Sequence, residues 1–497
     1  METRSAGSAG QRNASISAID WEAEHQRRLA KQPNDVVSMQ ALAVLLGQRG
    51  DCEGSLRLLE RALQIGPQNP SLHDDLGVTH ECADNPAAAA NCYRRSLHLR
   101  PRSSLTWSHL ANSLLRLRDF EAAEGACRQA IALDPANVRA HVNLAAALMN
   151  TGQVDEALTA YRTAIALAPD DPQAHANYGL ALLLIGDFAN GWQQYEWRRK
   201  LPDPNFIRSG QPWNGSELNG KTILLYGEGG LGNVVHFSRY IPLICGLGGK
   251  AIVECTEALI PILAGIAEPV AFIPRGQPLP PYDFHCPLMS VPAVLNHRAE
   301  DIPAAVRYLH SSPADTNRWR PVVRGLPGLR VGICWKGSGR IGVRNSRSFD
   351  PSHLAPLASV QEISWVNLQA NEQPPIIPEV RTLAGLDPES MQLHDLAAVV
   401  NELDLVITCD TSIAHIAGAL GVPVWVALRE VADWRWMRGR DDSPWYPTMR
   451  LIREQRAEDP TNHFRDIAQL LSTNRIELLS RRSVAASNAA HPYLPAR

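Results

Sequence analysis

Apolar and small residues recur with a fixed period through the first ~200 positions of the chain. Prolines fall 34 residues apart, at Pro33, Pro67, Pro101, Pro135 and Pro169. Counted from these prolines, a small residue recurs in the second half of each period, and a bulky residue usually follows four positions later. The small positions are Ser55, Ala89, Ala123, Ala157 and Gly191, and the bulky positions are Leu59, Tyr93, Tyr161 and Tyr195, with Cys127 as the exception. The pattern predicts a series of amphipathic helix pairs.

A helix pair at a 34-residue period resembles the tetratricopeptide repeat (TPR). One pair cannot bury its apolar face alone, so neighbouring pairs stack into a continuous core with a concave groove. Each proline ends the second helix of its unit, because it lacks a donor and restricts the residue before it. The pattern predicts a TPR array over residues 17–200, with about five repeats and an N-terminal half-repeat at 17–32.

Two asparagines, Asn143 and Asn177, occupy the same first-helix position in neighbouring repeats. In TPR proteins that bind extended peptides, asparagines at this position hold the peptide backbone. Asp75 and His109 stand there in two other repeats. The two asparagines are therefore either ligands for a peptide in the groove or solvated polar positions.

Beyond Trp197 the helical period ends, and residues 201–219, rich in Pro, Asn, Gly and Ser, are predicted to be a linker. Short apolar runs then alternate with helical stretches, as in α/β proteins with buried parallel strands. The runs begin at residues 222, 251, 270, 330, 363, 405 and 424. They predict two Rossmann-like lobes, at 220–310 and 328–475, with a connection at 311–327 and a C-terminal tail at 476–497.

The first candidate for chemistry is a glycine-rich turn that follows the run at 222–226 and opens a helix. It contains Gly229, Gly230 and Gly232, followed by Asn233. Such a turn lets backbone N–H groups approach a ligand, and a helix N-terminus favours an anion. The alternative is a tight strand-to-helix turn without a ligand. The segment is not a Walker loop, because no Gly-Lys-Ser/Thr follows.

A second candidate follows the run at 330–335. Lys336 stands at the expected carboxyl end of that strand, and glycines and arginines, among them Arg347, come after it. Ligands of open α/β sheets bind at such strand ends, so the segment is a candidate phosphate site. A solvated basic loop is the alternative.

The third candidate follows the run at 405–409. Asp410 ends the strand, Thr411 and Ser412 are predicted to cap a helix, and His415 lies on its first turn. Hydroxyls, N–H groups and an imidazole at a positive helix end suit a diphosphate. A structural histidine is the alternative.

Composition mainly argues against several classes of partner and site. A formal charge of −3 gives no reason to expect nucleic acid as a partner. The nine cysteines form no C-x-x-C pair, which argues against a disulfide framework or a zinc site. Residues 1–16 are polar and lack a signal-peptide core, so we expect a disordered tail. No apolar run is long enough for a transmembrane helix. We expect a cytoplasmic protein, with peripheral contact at the inner membrane left open.

Together these segments resemble the heptosyltransferase-type glycosyltransferases, which have two Rossmann-like lobes (the GT-B fold). The bacterial branch in which this domain follows TPR repeats is the most similar. The resemblance covers residues 190–475. It depends on the Gly-Leu-Gly turn, the strand end at Lys336, and the run from Asp410 to Pro423. The segments Asp433-Trp-Arg-Trp and Asp442-Ser-Pro-Trp-Tyr-Pro fit the same branch.

The resemblance implies sugar transfer from a nucleotide-linked donor, with no metal and no cofactor. The second lobe would hold the donor and the first lobe the acceptor. The donor site would consist of Lys336, Arg347, Gln369, Asp410, Thr411, Ser412 and His415. Lysine and the helix dipole would offset charge on the leaving diphosphate.

The chain departs from the family at one position. The family has an aspartate after the Gly-Leu-Gly turn, where it acts as general base, and this chain has Asn233. An amide cannot take a proton at neutral pH. Glu228 and His236 are the predicted substitutes, and His236 could equally be a packing residue.

Three hypotheses follow. The chain is a glycosyltransferase whose TPR groove recruits a protein or glycan acceptor, or a TPR interaction protein with a degenerate, nucleotide-binding transferase domain. The third is another reaction on a nucleotide-bearing substrate. The sugar, the nucleotide, the acceptor and the oligomeric state are not predicted by the sequence.

Overall fold

A computed structural model describes residues 18–202, 208–337, 347–369, 377, 380–383, 392–454 and 459–488, of which 18–20 and 476–488 are described by their backbone. The predicted tail at 1–16 lies outside these residues, as does most of the loop after Lys336. The chain divides into two compact units, Met1–Thr151 and Gly152–Arg497. The division lies inside the predicted repeat array, and the predicted domain boundaries stay predictions.

Eleven helices, taken over the described part of the first 200 residues, follow the predicted period and form a TPR-like solenoid. A leading helix α1 precedes five helix pairs. The bounds are α1 Ala18–Lys31, α2 Val36–Gln48, α3 Cys52–Ile65, α4 Pro70–Cys82, α5 Pro86–Leu99, α6 Ser104–Leu117, α7 Phe120–Leu133, α8 Val138–Asn150, α9 Val154–Leu167, α10 Pro172–Leu184 and α11 Phe188–Tyr195.

Local chemistry explains where these helices begin and how the pairs close. Most start after an Asp, Asn or Ser whose side chain accepts a hydrogen bond from a first-turn N–H, as Asp51 does from Gly54 at 2.8 Å. Within the second pair, a Cβ on Gly77 would lie 2.5 Å from the Tyr93 ring. The small and bulky positions found in the sequence are therefore the contacts that set the helix spacing.

The remainder of the second unit contains two parallel five-stranded sheets in the described residues. The first has the order β1-β5-β2-β3-β4 and the second β10-β9-β8-β6-β7. The bounds are β1 Gln211–Pro212, β2 Thr222–Tyr226, β3 Lys250–Cys255, β4 Val270–Pro274, β5 Phe284–Pro287, β6 Leu329–Cys334, β7 Ile363–Asn367, β8 Leu405–Thr408, β9 Val424–Leu428 and β10 Met449–Arg453.

All seven predicted strands are confirmed, and three further strands were missed. β5 is short and follows two prolines, and a segment of this composition predicts a turn and not a strand. β10 carries arginines at both Arg450 and Arg453 and lies at the sheet edge, where one side can stay polar. β1 lies in the segment predicted as a linker, and the neighbouring Trp213 is buried.

The helices of the two lobes are shorter and connect the strands. They are Leu231–Phe237, Ile241–Gly246, Ile260–Leu263, Val291–Val294, Pro313–Arg324, Leu393–Asn401, Ser412–Ala419 and Pro460–Asn488. The last of these continues through the predicted tail as far as Asn488. Each helix in the described ranges is too short or too polar to cross a bilayer.

The segment predicted as the connection, 311–327, is instead largely a helix of the second lobe. Trp319 on this helix donates to Asp395 at 2.7 Å, and Arg324 pairs with Glu402 at 2.6 Å. The chain has already reached the second lobe by Tyr308, whose N–H donates to Ala419 O. Loop composition alone does not reveal these long-range partners.

The last TPR helix packs directly on both lobes. Trp192 of α11 lies 6.1 Å from Phe237 of the first lobe and 5.3 Å from Trp434 of the second, measured between ring centroids. Trp192 is 2 % exposed. Trp192 thus forms a buried junction between the last TPR helix and the two lobes, inside the second unit.

Candidate functional site

A cavity of about 280 Å³ lies where the first and second lobes meet. It brings together most of the predicted site residues, although these come from distant parts of the sequence. The lining residues are Gly230, Leu231, Gly232, Asn233, Gly337, Arg347, Asp410, Thr411, Ser412, His415, Asp433 and Arg435.

The second-lobe wall is built on the helix Ser412–Ala419, which points its N-terminus at the cavity lining. Thr411 is the N-cap residue, but its side chain makes no cap hydrogen bond. Its Oγ1 is instead 3.1 Å from the hydroxyl of Thr408. The predicted hydroxyl cap is therefore wrong for Thr411. First-turn N–H groups have no carbonyl partner within a helix, so this end suits an anion.

His415 is held by a buried hydrogen-bond relay. The Tyr446 hydroxyl lies 3.0 Å from Nδ1 of His415 and 3.2 Å from Nδ1 of His236. The same hydroxyl also accepts from the Tyr308 hydroxyl at 3.4 Å. A phenol has one proton, so it can donate to at most one of the two imidazoles. Within the described residues, Nε2 of His236 is buried without a hydrogen-bond partner.

A proton on that nitrogen would leave a buried N–H unpaired, which is costly. The favoured arrangement therefore has His236 donating from Nδ1 to Tyr446, and Tyr446 donating to Nδ1 of His415. His415 then carries its proton on Nε2. A Cβ on Gly232 would lie 3.7 Å from that nitrogen, so this edge of the ring faces the glycine turn and the cavity.

Both imidazoles are neutral. Burial holds the pKa of His415 well below its usual range, and the charges of Arg435, Arg239 and Arg347 act in the same direction. Burial, with Arg239 next in effect, also holds the pKa of His236 well below its usual range. His415 is thus a neutral hydrogen-bond donor towards the cavity.

Two carboxylates lie in the same wall. Burial, followed by the nearby charge of Asp433, raises the pKa of Asp410 to about 6. Asp410 is 7 % exposed, whereas the Asp433 side chain is 35 % exposed. Asp433 is therefore the more accessible carboxylate of the cavity.

Arg435 connects this wall to the first lobe. Its Nη1 donates to Asp433 at 2.8 Å, and its Nη2 donates to Oδ1 of Asn233 at 2.7 Å. The guanidinium stacks over Trp434, with 4.3 Å between Cζ and the ring centroid. Burial lowers the pKa of Arg435, but Asp433, together with Tyr195 and Asp410, raises it by more, so the pKa lies above its usual value and Arg435 is a cation.

The first-lobe wall is the glycine turn. Gly229 has φ +64°, a left-handed conformation that favours glycine. A Cβ on Gly232 would lie 2.9 Å from the His415 ring, so this glycine permits the close approach of the two lobes. A Cβ on Gly230 would have no neighbour within 4 Å. The turn thus has a packing role and also presents backbone to the cavity.

Two of the three predicted catalytic residues do not line the cavity. Glu228 is 7 % exposed, and Nε and Nη2 of Arg198 donate to its two carboxylate oxygens at 3.1 and 2.8 Å. His236 is completely buried. Arg198 comes from the end of the TPR array, so Glu228 ties the glycine turn to the array. These contacts argue against either side chain as the base.

Gln369 and Lys336 lie beside the cavity without being among its lining residues. The Gln369 carbonyl oxygen accepts from the backbone N–H of Lys336 at 2.9 Å and of Trp335 at 3.3 Å. Gln369 therefore fixes the carboxyl end of β6. Lys336 is half-buried and precedes Gly337, which does line the cavity.

The predicted groove asparagines differ in their surroundings. Asn143 is 9 % exposed, and its Nδ2 donates to Ser108 O at 3.0 Å. Asn177 is half-buried, and its Oδ1 accepts from Gln173 at 2.9 Å. Asn143 thus serves the packing between repeats, whereas Asn177 remains a candidate for peptide contact.

The cavity residues include no cluster with metal-ligand spacing. Across the described residues, one such group is found, Asp315, His394 and Asp395. Its oxygens already accept hydrogen bonds, since Trp319 and Arg318 donate to Asp395 and Ser312 donates to Asp315. The group is explained as a hydrogen-bonded network, and the absence of a catalytic metal stays a prediction.

Known protein families match both parts of the chain. Models described as tetratricopeptide repeat match residues 36–66, 75–138, 108–172 and 142–196. The model of glycosyltransferase family 9 (heptosyltransferase) matches residues 376–470. The chain carries TPR repeats and a glycosyltransferase family 9 domain. The family 9 match lies in the second lobe and does not include the glycine turn.

Individual relatives add the following. The chain is 27 % identical over 455 residues to protein FlbA of Caulobacter vibrioides, covering 86 % of this chain and 70 % of that protein. The solved structure of MamA from Desulfovibrio magneticus is similar at 19 % identity and TM-score 0.31, covering 34 % of this chain and 97 % of that one. YrrB, a TPR protein with an unusual peptide-binding site, is 17 % identical at TM-score 0.30, covering 37 % and 94 %.

Sequence reasoning missed two residues at the centre of the cavity, Asp433 and Arg435. They were noticed as part of a family pattern and not as candidates for chemistry. The available signal was a pair of opposite charges placed among tryptophans, in Asp433-Trp-Arg-Trp. Charged side chains that are buried beside tryptophans need hydrogen-bond or ion-pair partners, which is the signal that could have identified this pair.

Proposed function

We propose that the protein is a glycosyltransferase that moves a sugar from a nucleotide-linked donor to a protein or glycan acceptor. The observation that carries this proposal is the composition of the second-lobe wall. Two arginines, a helix N-terminus and the His415 ring line one cavity, and the hydrogen-bond relay favours a proton on Nε2 of His415. These groups suit the diphosphate of a nucleotide sugar, and the family 9 match lies on the same lobe.

Each group has a separate task in the proposed reaction. Arg347 and the N–H groups at Ser412 bind the diphosphate and offset the charge that grows on it as it leaves. The neutral His415 donates a hydrogen bond to a phosphate oxygen without competing for a proton. These groups are fixed before the donor binds, and preorganised electrostatics of this kind give large rate effects. We further propose that the groove of the TPR array recruits the acceptor, with Asn177 as a contact.

A second function is favoured by a specific observation, the neutral Asn233. In this alternative the cavity binds a nucleotide but transfers nothing, and the chain acts as an interaction protein. Both the transferase and the interaction protein would bind the nucleotide donor. Only the transferase would release nucleoside diphosphate from it, so a turnover assay separates the two.

The test is a thermal-shift screen of the full chain against UDP, GDP, CDP and ADP and their hexose conjugates. A ligand at 100 times its Kd stabilises the folded state by about 2.7 kcal/mol. We expect stabilisation by one nucleotide series, reduced in His415→Ala and Arg347→Ala, because both residues line the cavity. Lys250→Ala is the matched control, because Lys250 is exposed at the start of β3. Absence of stabilisation by every compound would overturn the proposal.

A further inference from the structure

Sugar transfer requires a group that accepts the proton of the acceptor hydroxyl. The side chain that lines the cavity from the end of the glycine turn is the amide of Asn233. Oδ1 of Asn233 accepts from Arg435, which leaves Nδ2 directed at Glu228 O, 3.4 Å away. Both ends of the amide are thus used in hydrogen bonds, and neither can bind a proton at neutral pH.

The neighbouring acid–base groups of the glycine turn are unavailable. Arg198 occupies both carboxylate oxygens of Glu228. His236 is buried and forms the far end of the relay through Tyr446. A base for the acceptor must therefore come from another part of the cavity.

Asp433 lies at the other end of the same guanidinium. Arg435 holds Asn233 with Nη2 and Asp433 with Nη1, so one cation bridges the two side chains across the cavity. The backbone N–H of Arg435 also donates to Oδ1 of Asp433, at 3.0 Å. Asp433 is therefore oriented by two hydrogen bonds to one oxygen, and its side chain is 35 % exposed.

The other lining carboxylate is less suited. Asp410 is 7 % exposed and directly precedes Thr411, the N-cap of the helix Ser412–Ala419. Of the two carboxylates among the described lining residues, Asp433 is the more exposed to the cavity and solvent.

We propose that Asp433 is the general base of sugar transfer in this protein, and that it takes the place of the aspartate that Asn233 replaces. The proposal rests on the proposed glycosyltransferase function. As the acceptor hydroxyl attacks, its oxygen forms a bond to the anomeric carbon and its proton passes to the carboxylate of Asp433. The bond from the anomeric carbon to the diphosphate oxygen breaks, and its electron pair leaves with the nucleoside diphosphate.

The geometry of the bridge supports this assignment, because Arg435 holds Asp433 and Asn233 with two nitrogens of the same guanidinium. With an asparagine at position 233, the carboxylate that balances Arg435 across this bridge is Asp433. Arg435 orients that carboxylate while it collects the proton. Neutral Asn233 keeps the hydrogen bond to Arg435 and adds no second negative charge near the diphosphate.

The experiment uses the full chain and the nucleotide sugar that stabilises it most. Turnover is measured as release of nucleoside diphosphate, with water or an acceptor panel as the second substrate. Asp433→Asn should lower kcat at least ~100-fold, the range of general base catalysis. Donor affinity should stay equal or rise, because a negative charge leaves the diphosphate site. If Asp433 had only a structural role, the Asp433→Asn variant would instead lose both kcat and donor affinity.

Two further variants make the outcome decisive. Formate should restore part of the turnover of Asp433→Ala, because it can enter the gap and accept the proton. Asp442→Asn is the matched control, since Asp442 also pairs with an arginine two residues away, Arg440, and does not line the cavity.

Turnover of Asp433→Asn within fivefold of the wild type would overturn the inference while leaving the proposed function intact. Donor binding by the wild type without turnover would overturn both in favour of a nucleotide-binding interaction protein. Equal losses of affinity and turnover in Asp433→Asn, without rescue by formate, would assign Asp433 a structural role.

Discussion

The two walls of the cavity differ in chemistry. The first-lobe wall consists of Gly230, Leu231, Gly232 and Asn233, which offer backbone and one amide. The second-lobe wall carries every charged side chain among the described lining residues, namely Arg347, Asp410, Asp433 and Arg435. The charged side chains of the cavity are therefore concentrated on the second lobe, whereas the first lobe contributes backbone and one amide.

Under the proposed function, the second-lobe wall supplies the carboxylate that the first-lobe wall lacks at position 233. On the first-lobe side, the charged neighbours of the turn are committed to the fold, as Glu228 is by Arg198. On the second-lobe side, charges remain at the cavity surface. Arg435 contacts both walls through Asn233 and Asp433. A carboxylate missing from the first-lobe wall at position 233 can therefore be replaced by Asp433 on the second-lobe wall.

The largest effect is expected from Arg198→Met. It leaves Glu228 buried and unpaired, and breaking a buried pair costs about 3–5 kcal/mol of folding free energy. Urea unfolding of the full chain measures the loss. The double variant with Glu228→Met should recover much of it. Arg57→Ala is the control, since its pair with Glu53 is exposed and we expect less than about 0.5 kcal/mol. A small effect of Arg198→Met would mean that the pair with Arg198 does not hold Glu228 in the fold.

The second expected effect concerns Asp410. Its pKa in the folded chain, about 6, lies above the ordinary value of 3.8. The folded state therefore holds the proton more tightly than the unfolded chain, and stability is lost as pH rises from about 4 to 6. Asp410→Asn should remove this loss and stabilise the protein at pH 8 by roughly 2–3 kcal/mol.

Urea unfolding at pH 4 and pH 8 gives the free energy of unfolding of the Asp410→Asn variant and of the wild type, and the two proteins are compared at each pH. Equal pH dependence of the two proteins would show that the Asp410 carboxylate is not held at a raised pKa.

A smaller effect is expected from Tyr446→Phe. It removes the hydroxyl that fixes the proton of His415 on Nε2, and one hydrogen bond contributes about 1 kcal/mol. Donor affinity should fall roughly fivefold by calorimetry. The ¹⁵N shifts of His415 should also report a mixture of tautomers.

Tyr240→Phe is the matched control for this prediction. Its hydroxyl is also buried but lies outside the relay, and within the described residues it has no hydrogen-bond partner. Equal loss of affinity in both variants would contradict a specific role for the relay.

The repeats could be predicted closely because their determinants are local. The contact of Gly77 with Tyr93 lies inside one helix pair, and most of the repeat helices have a side-chain cap at their own start. The β strands were also found, except where composition resembled a turn, as in β5, or a polar edge, as in β10.

The cavity was only partly predictable, because it joins segments about 200 residues apart. Asp410, Ser412 and His415 were found from one local run. The bridge from Asn233 through Arg435 to Asp433 was not, since no local pattern reveals which charges meet across two lobes. The same limitation left Glu228 as a candidate base, because its partner Arg198 belongs to the TPR array.

Asn233→Asp is the variant that tests the account most directly, with donor turnover measured beside the wild type at pH 7.5. If the base is Asp433, the wild type turns over, and the variant stays within about twofold or slows, because a second carboxylate now competes for Arg435. Turnover that is absent from the wild type and emerges only in Asn233→Asp would contradict the account, and would identify the natural protein as a nucleotide-binding domain that has lost its base.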